Sequence, residues 1–257
     1  MKEKKTIENN NGDFLNPQLS IENMDIYFVR KSILKAITEN LPEFYGTLLD
    51  IGCGEMPYKQ ILTSLPGKVE KYIGLDIENP TYQQNTNPDL FWDGKIIPIE
   101  DDSVDCVVAT EFFEHIPYPE KILAEVIRVL KPGGILFLTV PFIWPLHTMP
   151  YDEYRYTPFS LERILKNSGF DNISLKSLGG WDASLAQVIG LWARRRPMSN
   201  EDRFKYSKDL FPFYKSLIDR DQIPTDFTES ILITGLTGTA RKNIIQNSDS
   251  DLSDEIK

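Results

Sequence analysis

Two cysteines and two histidines in 257 residues leave little material for disulfide or metal chemistry. Cys53 and Cys106 each sit inside an apolar segment, so they read as buried thiols of a reducing compartment and not as a disulfide framework. No Cys/His cluster has metal-ligand spacing, and no bound metal is expected. Long apolar runs are also missing. None approaches the roughly 18 residues of a membrane span, and the opening "MKEKKTIENNNGD" lacks the apolar core of a signal peptide. A cytoplasmic location without stable membrane insertion is the expectation. Positive charge is in deficit, with 28 Lys and Arg against 38 Asp and Glu and a net charge of -10. A surface that tracks phosphates is normally basic, so nucleic acid is excluded as the main partner. No internal repeat is visible.

What is present is ordinary globular material, 41% hydrophobic and 26% charged, in an amount suited to one embellished α/β domain. The polar segments 1–12 and 243–257, the second strongly acidic, are expected to be disordered and to flank a single domain over 13–242. "MDIYFVRKSILKAITENL" has the spacing of an amphipathic helix. "GTLLDIG", "KYIGLDI", "VDCVVAT", "GILFLTVPF", "DNISLKSLGG" and "ESILITGLTGTARK" read as strands, with a short additional one near Leu90–Trp92. Helices lie between them. One is entered through Pro57 and runs to Pro66-Gly67. Another is entered at Pro119 and stopped by Pro132-Gly133, and a third is capped by Thr157 and stopped at Gly169. Alternating helices and continuously apolar strands belong to a doubly wound, mostly parallel seven-stranded sheet covered on both faces. Two aromatic-rich helical patterns within about 181–225 form an insert before the last strand, suited to covering a pocket or to a homodimer contact.

"LLDIGCGEMPYKQIL" is the segment with the sharpest chemical content. A strand, a glycine-rich turn and a helix create a ligand site at the carboxyl end of a doubly wound sheet. The dinucleotide fingerprint needs glycine where Pro57 stands, and no Gly-Lys-Ser/Thr follows to make a triphosphate loop. Asp50, at the mouth of the turn, repels a pyrophosphate and favours an ammonium or sulfonium. Asp76 ends the next strand, where a carboxylate can accept both hydroxyls of a ribose. A cationic nucleoside without phosphate fits both acids, and S-adenosyl-L-methionine is such a molecule.

"LLDIGCG", "YIGLDI", "IIPIEDDSVDCVVATEFFEHI" and "ILAEVIRVLKPGGILFLTVPF" together resemble the class I S-adenosylmethionine-dependent methyltransferases of the methyltransferase-type-11 branch, over about 45–173. The resemblance implies a Rossmann-like methyltransferase fold. It implies that Gly52 and Gly54 back the methionine portion above Asp50, and that Asp76, with Ile77 beside it, takes the ribose. Asp93 and Gly94 match adenine-side positions, and Thr110 and Glu111 match the strand end whose backbone meets the methionine portion. Met56 departs from a third glycine common in the branch.

"HTMPYDEYRYT" further resembles a subgroup often linked with surface-polysaccharide and other sugar or nucleotide-linked metabolite pathways. It lies in a loop over the carboxyl end of the sheet, where scaffolded loops carry chemistry. His147 is the expected general base, Asp152 its orienting partner or itself the base, and Arg155 the binder of an anionic acceptor. The same loop can instead be self-packed, with Arg155 paired to Asp152 or Glu153. His115 is expected to pack and cap. The expected reaction is O-methylation of a sugar or phosphorylated small molecule. N-methylation, or a non-catalytic scaffold subunit that keeps the cofactor fold, is the alternative.

Overall fold

The computed structural model describes residues 14–78, 87–228 and 230–244. The termini expected to be disordered lie outside the described residues, apart from 243–244. Seven strands form one sheet in the order β3-β2-β1-β4-β5-β7-β6. They are β1 (Tyr45–Ile51), β2 (Lys68–Ile77), β3 (Leu90–Trp92), β4 (Val104–Thr110), β5 (Leu130–Pro141), β6 (Phe170–Ser177) and β7 (Gly235–Lys242). The first five are mutually parallel. β7 inserts antiparallel between β5 and β6. The chain therefore folds as the mostly parallel, doubly wound sandwich expected of it.

Strand β4 shows why. It is buried at every position except Thr110. Its side chains alternate, Val107 and Ala109 joining one core cluster while Cys106 and Val108 join the other. Helix α1 (Tyr27–Asn40) covers the second face through Ile33, Ala36 and Ile37. The first face is covered by α3 (Pro119–Val129) through Ile122, Leu123 and Val126, and by α4 (Pro158–Asn167) through Leu161 and Leu165. Thr157 caps α4 in a reciprocal capping box with Ser160.

Two helix boundaries differ from expectation. The helix expected after Pro57 shrinks to the single turn α2 (Lys59–Leu62). The chain is still turning at Met56, which adopts a left-handed φ of 54°, and helical bonding cannot propagate from there. Helix α3 ends at Val129, ahead of Pro132-Gly133, because Leu130 is already extended and joins β5.

The insert contains α5 (Trp181–Arg195) and α6 (Asn200–Arg220), which pack on each other and on the segment preceding α1. Met24, Ala186, Tyr214 and Leu217 form a small buried cluster there. Gln187 donates to the Asp25 carbonyl at 2.8 Å, and Arg195 Nε donates to the Asp25 carboxylate at 2.8 Å. Gly190 permits this approach, since a side chain there would overlap the Met24 carbonyl. No described helix is long and apolar enough to cross a membrane. Gly190→Ala is expected to lower unfolding free energy by about 1–3 kcal/mol through overpacking against backbone. Denaturant melts read this directly, and an unchanged midpoint would show that the α5 contact has slack.

Candidate active site

A cavity of about 500 Å³ opens at the carboxyl ends of β1 and β4. The glycine turn supplies Gly52, Cys53, Gly54 and Tyr58, and the end of β4 supplies Thr110 and Glu111. Across from them stand Phe14, Ile26 at the N-cap of α1, and the α1 side chains Val29, Arg30 and Ile33, with Trp144, His147 and Arg195 at the remaining side.

The turn is built for close approach. Gly52 has φ +69°, and a side chain on it would run into the ring of Phe112. Gly54 has φ +53°, and a side chain there would meet no protein atom within 4 Å. Its backbone thus faces open space. Asp76 ties this turn to β2, with Oδ2 accepting from the Gly54 N–H at 2.7 Å and Oδ1 from the Ile77 N–H at 2.7 Å. Asp93 is exposed and accepts from the Lys95 and Ile96 N–H groups at 2.9 and 3.2 Å, in a turn with Gly94 at φ +75°. These bonds hold its pKa below the usual value. The pairing of Ile77 with Trp92 sets Asp76 and Asp93 at neighbouring strand ends. Asp76, Ile77, Asp93 and Gly94 therefore follow the carboxyl edge of β2 and β3, outside the cavity wall itself.

Asp50 is not at the mouth of the turn, contrary to expectation. It is 2% exposed within the sheet, and Tyr72 donates its hydroxyl to Oδ2 at 2.6 Å. Oδ1 is buried with no hydrogen-bond partner. Burial lifts its pKa from 3.8 to about 7, opposed by the Tyr72 hydrogen bond and reinforced by Asp76. Glu111, at the cavity wall, has a left-handed φ of 49°. Its N–H donates to the Thr139 carbonyl at 3.0 Å, and its Oε1 accepts from the Thr139 hydroxyl at 2.9 Å. Burial lifts its pKa to about 7 as well. Burial pushes the Cys53 thiol up, so it stays protonated and inert, as expected of a packing residue.

The loop after β5 is held by one fork. Arg155 donates from Nη1 and Nη2 to the two oxygens of Asp152 at 2.7 and 2.9 Å. It also reaches the carbonyls of Tyr154, Trp144 and Pro145. The guanidinium expected to bind an anionic acceptor is therefore committed within the loop, because bidentate pairing and three carbonyls absorb its donors. Asp152, its side chain 3% exposed, is held well below the carboxylate range by Arg155. Its two oxygens are committed to Arg155 and the His147 backbone. Its Oδ2 lies 3.3 Å from His147 Nδ1 and accepts the His147 backbone N–H at 3.1 Å. His147 has its pKa lowered, first by burial and then by His115. The His115 ring packs at 4.7 Å on that of His147 and turns its Nδ1 to the Tyr151 carbonyl at 2.9 Å. Beside it Glu114 is fully buried.

Several wall residues carried no sequence signal. Arg195, in the run Arg194-Arg195-Arg196, lines the cavity and stacks over Trp144 at 4.6 Å. Phe14, Arg30 and Tyr58 belong to a segment legible only as helix or turn. Behind the wall, Glu114 and His115 meet the sequence-predicted His147 from a stretch about 30 residues earlier.

Residues 49–138 match the family model described as a methyltransferase domain. Among curated relatives, a methyltransferase of uncharacterised function from Mycolicibacterium paratuberculosis is 26% identical over 172 residues, 59% of this chain and 66% of the relative. Another from Mycobacterium bovis is 29% identical over 181 residues, 62% of this chain and 70% of the relative. The fold superposes on a SAM-dependent methyltransferase from Archaeoglobus fulgidus with a TM-score of 0.53 at 16% identity, over 90% of this chain and 97% of that one. Residues 49–138 thus carry a methyltransferase domain, and the relatives and the fold support an S-adenosylmethionine-dependent methyltransferase with S-adenosyl-L-methionine as its cofactor. The residues suit it. Gly54 bares its backbone to open space, and Asp50, two residues before Gly52, keeps a buried oxygen, Oδ1, without a partner.

Asp50 also makes a stability prediction. Its native pKa is raised, so the native state holds the proton more tightly, and its contribution is fully present below about pH 4. That contribution fades as pH rises toward and through 7. The stability difference between wild type and Asp50→Asn should shift against wild type by a few kcal/mol between pH 4 and 8. Paired urea melts across this range test it, and a difference that stays flat would mean that Asp50 is ionised throughout.

Proposed function

We propose that this protein transfers a methyl group from S-adenosyl-L-methionine to a hydroxyl of a small anionic acceptor, a sugar or phosphorylated metabolite of a surface-glycan or related pathway. The observation that carries the reading is the single cavity shared by the glycine turn and by Trp144, His147 and Arg195. The cofactor supplies an already activated methyl on a sulfonium. The protein's share is to bind, orient and exclude water, and proximity of this kind supplies much of the acceleration.

Each group has a part in this reading. Gly52 and Gly54 let the backbone approach the methionine portion, flanked by Thr110 and Glu111. Asp76 accepts from the ribose hydroxyls with lone pairs left over from its two backbone contacts, and Asp93 and Gly94 border the adenine side beside Ile77. Arg195 replaces Arg155 as the acceptor's anion partner. Its Nε is spent on Asp25, and its guanidinium is spread over Trp144 at the cavity wall. A planar cation on an aromatic face suits a sugar phosphate or a carboxylate. His147 is the group through which the acceptor's proton is lost, with Asp152 fixing its ring. The pathway rests on the "HTMPYDEYRYT" resemblance alone.

Asp76→Ala is expected to weaken S-adenosylhomocysteine binding about 10- to 100-fold, the loss of charge-assisted hydrogen bonds worth roughly 1.5–3 kcal/mol. Unchanged affinity by calorimetry removes Asp76 from the cofactor site. Acceptors come from screening sugar nucleotides and phosphorylated metabolites for methyl transfer. With the acceptor found, His147→Ala should slow single-turnover transfer by about 10²–10⁴-fold while cofactor affinity holds. Arg195→Ala should raise the acceptor's KM more than it lowers kcat. Wild-type rates for His147→Ala would leave positioning alone as the source of catalysis.

A further inference from the structure

Among the described residues, Glu114 is a fully buried acid. It is 0% exposed, and both of its carboxylate oxygens lack any hydrogen-bond partner. Removing a carboxylate from water without a partner is costly, so such a group is expected to meet a cation or a proton. Facing it is His115 Nε2, 3.7 Å from Glu114 Oε1. The Tyr151 carbonyl, 2.9 Å from His115 Nδ1, can only accept. The ring therefore keeps a proton on Nδ1, and in the neutral imidazole Nε2 is a bare lone pair turned to a carboxylate.

His147 completes the set. Glu114, His115 and His147 each offer a ligand atom, all within 4.8 Å of one another. Each atom is then within about 2.8 Å of a common centre, against ~2.0–2.2 Å in a zinc site, so small side-chain movements close the shell. The surroundings have the form of a metal's outer shell. The Nδ1 edge of His115 meets a backbone carbonyl, and that of His147 lies 3.3 Å from Asp152 Oδ2. The first is a hydrogen bond of the kind that fixes a ring and raises the basicity of its other nitrogen, while the second is a close contact in which the buried His147 Nδ1 makes no hydrogen bond. The two halves are also locked together, because the Glu114 carbonyl accepts the backbone N–H groups of Glu153 and Tyr154 at 2.8 and 3.1 Å.

We infer that Glu114, His115 and His147 form a binding site for one divalent transition-metal cation at the acceptor side of the cavity. Two imidazoles and one carboxylate select the manganese-to-zinc series over magnesium or calcium, whose ligands are oxygens. Three protein ligands leave coordination positions open to the cavity that His147 lines. The consequence for catalysis rests on the methyl-transfer reading above. An acceptor hydroxyl bound to the cation is acidified and releases its proton to solvent. Its oxygen then forms the new bond to the methyl carbon as the carbon–sulfur bond breaks, and that bond's electron pair stays on sulfur. His147 thus promotes proton loss as a ligand of the cation and not as a free base.

The test uses untagged, full-length protein stripped with chelator, with Zn²⁺ and Co²⁺ as probes. One Zn²⁺ per chain should bind with a dissociation constant of micromolar or below, and Co²⁺ should develop visible d–d absorption. Glu114→Gln keeps the shape while removing the charge, and it should weaken Zn²⁺ at least tenfold, as should His115→Ala. Circular dichroism confirms folding, and the thermal shift with Zn²⁺ seen in wild type should vanish in both variants. No stoichiometric binding by wild type overturns the site. So does affinity unchanged in both variants, because the ion would then lie elsewhere. Glu114 would in that case be neutralised by its own proton or by a protonated His115. None of these readouts needs acceptor or S-adenosylhomocysteine. Failure to bind S-adenosylhomocysteine would sink the methyl-transfer reading and leave the metal site standing.

Discussion

The fork between Arg155 and Asp152 is the contact on which the acceptor side of this protein depends. A loop from 142 to 157 leaves β5 over the open end of the sheet, where it has no regular hydrogen bonding to hold it. Arg155 gathers it by pairing with both oxygens of Asp152 and reaching three carbonyls. Asp152, so neutralised, receives the backbone N–H of His147 and sits at its Nδ1 edge. The histidine's orientation is therefore a product of an ion pair that never touches the cavity. A planar, bidentate guanidinium is suited to this work because it fixes direction as well as charge.

The cofactor side is governed by glycines and buried acids. Gly52 exists to admit Phe112 from behind, while Gly54 exists to leave space in front. The two acids that punctuate the first strands part company. Asp76 accepts one N–H from the turn, that of Gly54, and one from its own neighbour Ile77, and stays at the sheet edge. Asp50 is swallowed by the sheet, held by Tyr72, and pushed up to about 7. A carboxylate so placed acts by its field through a low-dielectric layer and not by contact with solvent.

The third wall comes from the ends of the domain. Phe14 and α1 approach from the amino-terminal side, and Arg195 arrives at the end of α5. Asp25 joins these two regions, accepting Gln187 on its carbonyl and Arg195 on its carboxylate. The insert thus acts on the cavity directly through Arg195 and indirectly through its grip on the segment before α1. Its aromatic residues divide between this packing and solvent, with Tyr214 buried and Phe213 48% exposed.

Periodicity and punctuation determined a great deal by themselves. The buried strands, the helices entered at Pro119 and Thr157, the glycine turn and its acids are local patterns, and local patterns survive in one dimension. The motif around Gly52 and Gly54 likewise carries its chemistry in consecutive residues, so the cofactor class was legible before any fold. Tertiary structure alone decided the rest. The burial of Asp50 depends on a tyrosine 22 residues away in the neighbouring strand. The pairing of Arg155 with Asp152 follows from how the loop closes on itself. Arg195 enters the cavity only because α5 packs on Asp25, 170 residues earlier. Glu114 and His115 meet His147 only because the loop after β5 folds back on the end of β4. Spacing along a chain reports which side chains share a strand or a helix face. It does not report which distant side chains a sheet brings to one end, and that end is where the chemistry lies.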